Sequence, residues 1–266
     1  MPTNPPKRTQ TQSRTSEIAE SLTPKGTLPL RSAGRMQITD RDVDILIWVA
    51  RHGIVTADQI ARQFFPTPQG RSACFQRVRK LCDASPPLLK RDRTHFGEPS
   101  VLRVSPQGSR IADVGLAPAR LVPSEIHHAL AIVDLAEELS RKYPKTTLLT
   151  ERERRAERYR EKRAEQRKTT GRIPDAVFIF PETGTKKERT VAIELDRTAR
   201  SRMDAETVVK AYLSERYTEV WWYVRPNRVD IIRQITRRMK VDDFIEVRPW
   251  VGTVASNIKL TQDQQH

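Results

Sequence analysis

Two cysteines are all that this chain of 266 residues contains, and they supply neither a disulfide framework nor a zinc site. Cys74 and Cys82 fall in one expected helix, roughly 12 Å apart along its axis. That is too far for a disulfide bond, and the pair lacks the CxxC spacing of a zinc ligand set. Such sparse use fits a reducing, cytoplasmic setting. Long apolar runs are missing too. No stretch approaches the roughly 18 residues of a membrane-spanning helix, and no amphipathic anchor ends the chain. The opening M-P-T-N-P-P-K-R-T-Q has no apolar core of a secretion signal.

Positive charge is what the chain has in excess. Lysine and arginine number 48 against 33 acids, a net charge of +15, and the pI is near 10.2. A surplus of that size favours a polyanionic partner, because neutralising phosphates releases condensed counterions. Nucleic acid is the first candidate. An acidic membrane surface is the second, and the missing apolar anchor speaks against it.

The length is comfortable for two domains. Residues 1–36 are polar, with six basic residues against two acids, and read as a disordered basic tail. Order is expected from Thr39, which with Asp42 has the spacing of a capping box. Val43, Leu46, Ile47 and Ala50 then recur at helical spacing, and Gly53 stops the helix. Thr56 with Gln59 opens a second, short helix through Ile60, Phe64 and Phe65, closed by Pro66. A third runs from about Gln69 to Cys82 on a stripe of Cys74, Val78 and Leu81. Its other face carries Arg71, Gln76, Arg77, Arg79 and Lys80. The runs L-L-K-R and V-L-R-V flank a polar turn and read as a β-hairpin bearing Lys90, Arg91 and Arg93. Three short helices and a hairpin are the order of a winged helix-turn-helix over residues 37–120. There the third helix enters the major groove of double-stranded DNA and the turn touches backbone. The plainer reading of these basic residues is a solvated helix face.

A connecting helix is expected within 121–145, with Ile126, Leu130, Val133, Ala136 and either Leu135 or Leu139 on one side. His127 and His128 begin it. Adjacent helix residues diverge by about 100°, which argues for capping or packing over metal binding. Residues 151–172 hold ten basic residues and five acids. They read as an exposed helix laced with i,i+4 pairs or a mobile basic loop. Across 146–250 strands and helices alternate: D-A-V-F-I-F and T-V-A-I-E-L as a hairpin, a helix over about 201–217, a central strand E-V-W-W-Y-V, a helix over 228–239 and a closing strand F-I-E-V-R-P-W. Trp221 and Trp222 fit core and edge packing better than base stacking. Residues 251–266 form a polar tail. The whole is α+β: a winged helix followed by a small α/β domain with a mixed sheet.

The run V-A-I-E-L-D-R-T carries the chemistry. Glu194 and Asp196 are two apart and share a face. A hairpin with its tip near Gly184 and Thr185 brings Asp175 beside them, so three carboxylates converge if the register is even. A few carboxylates plus water are how Mg²⁺ is held, and such an ion can activate water against a phosphodiester. The alternative is structural: Glu194 or Asp196 pairs with Arg172, Arg197 or Arg202, or caps the helix near Ser201, since buried acids are usually paired.

The motif I-P-D-A-V followed by A-I-E-L-D resembles the PD-(D/E)xK nuclease superfamily. That resemblance implies a Mg²⁺- or Mn²⁺-binding pair, Asp175 and Glu194, with Asp196 in place of the superfamily's lysine. Nothing inside the motif supplies the lost amine, and Arg197 is a poor proton acceptor; Lys210, on the following helix, is a candidate substitute and Glu151 a candidate extra acid. Over most of the ordered chain, D-I-L-I-W-V-A-R-H-G-I-V-T-A-D-Q-I-A-R-Q-F-F-P, R-V-R-K-L, H-H-A-L-A-I-V-D-L, R-I-P-D-A-V and A-I-E-L-D-R-T follow in the order that resembles the replication-relaxation family of plasmids and integrative elements. This implies a DNA-binding accessory of plasmid replication, relaxation or mobilisation, with a relaxase or replication proteins as partners. A homodimer is compatible with a winged helix. Two further readings stay open: a metal-dependent endonuclease, and a winged-helix repressor of a mobile element.

Overall fold

The computed structural model describes residues 36–94, 99–165, 171–184, 187–198 and 200–252. The basic tail up to residue 35, the centre of the first hairpin turn (95–98), residues 166–170 of the basic segment, part of the second hairpin tip and the tail from 253 lie outside them. The described elements all fall within one compact unit, Gly34–His266.

Helix α1, Asp40–His52, starts on a capping box. The Thr39 hydroxyl accepts the Asp42 N–H, and the Asp42 carboxylate accepts the Thr39 N–H at 2.7 Å. Acids in its first turn and Arg51 in its last complement the helix dipole, while burial and the charge of Arg51 push the His52 imidazole down to about 3 and leave it neutral. It ends at Gly53, whose φ of 87° costs a residue with a Cβ dearly. The buried face is Asp42, Ile45, Leu46, Val49 and Ala50, rotated from the expected 43/46/47/50 stripe. Asp42 can turn inward because Arg77 meets it there. A second capping box, Thr56 with Gln59, starts α2, Ala57–Phe64. Helix α3, Gly70–Asp83, buries Cys74, Val78 and Leu81 as its stripe requires.

Strands β1 (Val55–Thr56), β2 (Leu89–Asp92) and β3 (Val101–Val104) form a sheet in the order β1-β3-β2, with Leu89 opposite Val104. The helices and this sheet share one core, including Leu46, Val49, Ile60, Val78, Leu89 and Leu102. Each such side chain, once fully buried, contributes about 1.5–3 kcal/mol. Helix α4, Pro106–Ala112, begins at the Ser105 cap. It crosses so closely that a Cβ on Gly108 would lie 2.0 Å from the Leu88 carbonyl oxygen.

A 3₁₀ turn, Pro123–Glu125, leads into α5, Ile126–Lys142. Both Leu135 and Leu139 are buried. Strand β4, Thr147–Thr150, runs directly into α6, Glu151–Glu165. Thr150 and Glu153 cap each other's N–H groups. The start of α6 is fastened to α1: Arg51 pairs with Glu153 at 2.7 Å, and Arg152 donates to the Ala50 carbonyl at 2.6 Å while crossing Gly53. The basic segment is therefore helical through 165 and docked at its first turn.

The second sheet has the order β4-β5-β6-β7-β8, with β5 Ala176–Phe180, β6 Arg189–Asp196, β7 Glu219–Val224 and β8 Ile245–Pro249. Pairing is antiparallel from β4 to β6 and parallel from β6 to β8, so the sheet is mixed. Helices α7 (Arg202–Leu213) and α8 (Val229–Arg238) form one core with Ala192, Val220, Trp222 and Val247. The opposite parity, Ile193, Leu195, Trp221 and Tyr223, packs with Ala131, Leu135 and Leu139 of α5. Trp221 and Trp222 thus serve the two faces of β7. Helix α7 ends four residues before the expected Tyr217 and leaves Leu213 exposed, since the chain must turn there to feed β7. The described chain is α+β with a mixed five-stranded sheet, and no helix in it is long and apolar enough to cross a membrane.

Candidate functional site

Two places carry the functional candidates. The first is the outer face of α3 and the hairpin beside it. Arg71, Gln76, Arg79 and Lys80 are exposed, as are Lys90, Arg91 and Arg93 on and after β2. Arg71 is held at its base by Asp58 at 2.7 Å and stacks over Phe75, an aromatic ring that is itself exposed. Among the described residues Arg79 makes only an exposed i,i+4 pair with Asp83 at 3.4 Å. Pairs of this kind contribute little in water, so the guanidinium is free to exchange partners. Arg77 differs. Its Nε donates to Asp42 Oδ1 at 2.6 Å, its NH2 to Asp42 Oδ2, and its NH2 also to the Gln37 carbonyl at 2.8 Å. The Asp42 carboxylate is 1% exposed. Burial opposes its ionised form, and the bonds from Arg77 and Thr39 outweigh that and hold its pKa below the usual carboxylate value. Arg77 ties α3 to α1.

The second place is the end of the β5–β6 hairpin. Ala176 pairs with Ile193, and the Asp175 N–H donates to the Ile193 carbonyl at 3.0 Å. Asp175 therefore stands opposite Glu194, the even register expected. The three carboxylates nevertheless do not gather. Asp175 Oδ2 accepts the Leu195 N–H at 2.7 Å, adding a rung to the ladder, and Oδ1 meets His128 Nε2 at 3.1 Å. Glu194, 1% exposed, is ringed by donors. Arg172 grips both its oxygens, Nε to Oε2 at 3.0 Å and NH2 to Oε1. Arg200 reaches Oε1 at 3.2 Å, and the Tyr212 hydroxyl donates to Oε2 at 2.6 Å. Asp196 pairs with Arg200 at 3.2 Å and accepts the Thr198 N–H at 3.2 Å.

The electrostatics follow from burial. Desolvation, then the charge of Asp175, pushes the Glu194 carboxyl up, while Arg172 and Tyr212 pull it down. Burial and Glu194 together push the Tyr212 hydroxyl well above its ordinary value. Burial works against the charge on His128, but Asp175 more than offsets it, and the imidazole is raised above 6.5. Glu151 is raised by burial and by Asp175 and held in check by Arg155.

A divalent cation needs carboxylate oxygens with lone pairs to spare. Here both oxygens of Glu194 and both of Asp175 already accept hydrogen bonds, and two guanidiniums stand where a cation's charge would act. Among the described residues no three His, Cys, Asp or Glu side chains form a group able to hold a metal ion. Mg²⁺ or Mn²⁺ does not fit this donor set as arranged. Nor does α7 bring Lys210 to the acids: Lys210 is exposed, and Tyr212 is the α7 residue that reaches Glu194.

Pairing with Arg172 was among the sequence expectations. Arg200 was not: it lies four residues after Asp196, but in a loop between strand and helix, where that spacing carries no pairing signal. Tyr212 lies within the expected 201–217 helix with no role of its own in the sequence reading, and His128 is read there as a cap or packing contact.

Neither the curated proteins nor the solved structures gave a match to this chain. A family model described as replication-relaxation matches residues 46–232, which spans α1 to α8 and so takes in both candidate places. The match covers well over half of the chain, and the protein belongs to the replication-relaxation family, which points to a role in plasmid or mobile-element replication or relaxation.

Proposed function

We propose that the chain is a double-stranded DNA-binding accessory of plasmid or mobile-element replication, relaxation or mobilisation, with its first three helices and β2–β3 hairpin acting as a winged helix. The observation that carries this reading is the outer face of α3. Arg71, Gln76, Arg79 and Lys80 face solvent together, backed by a well-packed stripe and flanked by Lys90, Arg91 and Arg93 on the hairpin. Arginine and glutamine are the side chains that read base edges bidentately, and lysine serves backbone phosphate. The net charge of +15 supports association with a polyanion at any sequence. A relaxase or a replication protein is the protein partner this role calls for.

Replacing Arg79 and Lys80 with Ala tests the reading by gel retardation on DNA from the native locus. Weakened binding with unchanged thermal stability is expected. An unaltered footprint contradicts the placement of α3 in the groove.

The endonuclease reading draws on Asp175 standing opposite Glu194, as the PD-(D/E)xK resemblance requires. The arginine grip on Glu194, Asp196 at the lysine position and the exposed Lys210 all favour the accessory role over it. Supercoiled plasmid incubated with protein and Mg²⁺, Mn²⁺ or EDTA separates the two. Intact plasmid is expected, whereas metal-dependent nicking lost in Asp175→Ala and Glu194→Ala makes the site catalytic.

A further inference from the structure

The parallel register of β6 and β7 sets Leu195 beside Tyr223 and Asp196 beside Val224. The next residues, Arg197 and Arg225, therefore leave two neighbouring strands side by side, with strand axes about 4.8 Å apart. Adjacent like charges on paired strands are destabilising. Such a pair is normally relieved by an acid between them. Here no hydrogen bond or ion pair holds either guanidinium among the described residues. The carboxylates at the same strand ends are committed elsewhere: Glu194 to Arg172 and Arg200, Asp196 to Arg200 and Asp175 to His128.

Arg197 is also half-buried, and its guanidinium pKa is lowered, first by burial and then by the charge of Arg225. Both residues sit on firm mounts. Asp196 accepts the Thr198 N–H and fixes the chain after Arg197. The Arg225 carbonyl accepts the Arg228 N–H at 2.8 Å, closing the turn Pro226–Arg228. Ligands of open sheets with parallel strands bind beyond the carboxyl ends of those strands, and this pair stands there.

We infer that Arg197 and Arg225 together grip a backbone phosphate of DNA, giving the second sheet a nucleic-acid contact of its own, separate from the α3 face. A phosphodiester is the anion that matches: a fork of guanidinium donors recognises its oxygens, and its charge relieves the repulsion within the pair. This inference rests on the DNA-binding reading above, and it adds a contact that the winged helix does not supply.

Fluorescence anisotropy on a short labelled duplex from the native locus, between about 50 and 200 mM salt, tests it. Four proteins are compared: wild type, Arg197→Ala with Arg225→Ala, Arg197→Lys with Arg225→Lys, and Lys145→Ala with Arg216→Ala. The last removes the same charge from two exposed positions. Because Arg197 is half-buried, the single variant Arg225→Ala, at an exposed position, serves if the double alanine variant melts early. The rim variant is expected to bind about tenfold more weakly at the lower salt, with a salt slope shallower by about one, the value of one phosphate contact. The lysine variant should recover most of that slope, and the control should keep the wild-type slope. Equal loss in the rim variant and the control, or no loss in the rim variant, overturns the rim contact while leaving DNA binding standing. Failure of the wild type itself to bind overturns both.

Discussion

Arg172 holds Glu194 through both oxygens of a carboxylate that is 1% exposed. The consequence is energetic before it is functional. Removing one partner of a buried pair strands the other's charge, which costs about 3–5 kcal/mol. Arg200 and Tyr212 remain on Glu194, so Arg172→Ala should cost near the lower end, about 3 kcal/mol. Urea unfolding measures this. A midpoint equal to that of wild type would mean that the pair is not formed in solution.

Arg77 and Arg79 lie two residues apart on α3 and should behave differently. Arg77 anchors the buried Asp42, so Arg77→Ala should destabilise the protein by about 3 kcal/mol. Arg79 is exposed, and Arg79→Ala should change stability by less than about 0.5 kcal/mol while weakening DNA binding. Thermal melts beside retardation assays distinguish the two. Equal stability of both variants contradicts the assignment of Arg77 as a tie between helices.

Gly108 packs so tightly against the Leu88 carbonyl that even one methyl group must push backbone aside. Gly108→Ala should lower stability by about 1–3 kcal/mol or more. Gly115, where a Cβ would meet nothing within 4 Å but φ is +67°, should show only the conformational part, about 1 kcal/mol. A comparison of the two unfolding midpoints checks the ranking.

His128 gives a pH dependence of definite sign. Its pKa is raised in the folded protein, so its contact with Asp175 contributes fully below the unfolded value of about 6.5 and is lost as pH rises through the folded value. Wild type should exceed His128→Gln in stability at about pH 6, and the difference should shrink by about pH 8.5. Paired urea melts at the two pH values test this. A difference that grows with pH would place the imidazole neutral against Asp175.

Local chemistry explains which parts of the fold were legible. The capping boxes at Thr39 and Thr56 announce α1 and α2 because both halves lie within four residues. Thr150 and Glu153 make the same signal at α6, hidden in a segment whose lack of apolar residues suggested a loop as readily as a helix. The α1 stripe was displaced because its inward acid, Asp42, becomes tolerable only once Arg77 arrives from a different helix. At the candidate site, Asp175 opposite Glu194 follows from hairpin register. The guanidinium from Arg200, the hydroxyl from Tyr212 and the imidazole from His128 depend on how a loop and two helices fold back over the strand ends. No periodicity carries that information.

The central claim is that this protein binds double-stranded DNA through charged groups on its surface. A titration of a labelled native-locus duplex at a series of salt concentrations tests it most directly. Affinity should fall by about 10³ or more between 50 and 200 mM salt if six or more phosphates are contacted. Binding that is undetectable at low salt, or indifferent to salt, would contradict the claim.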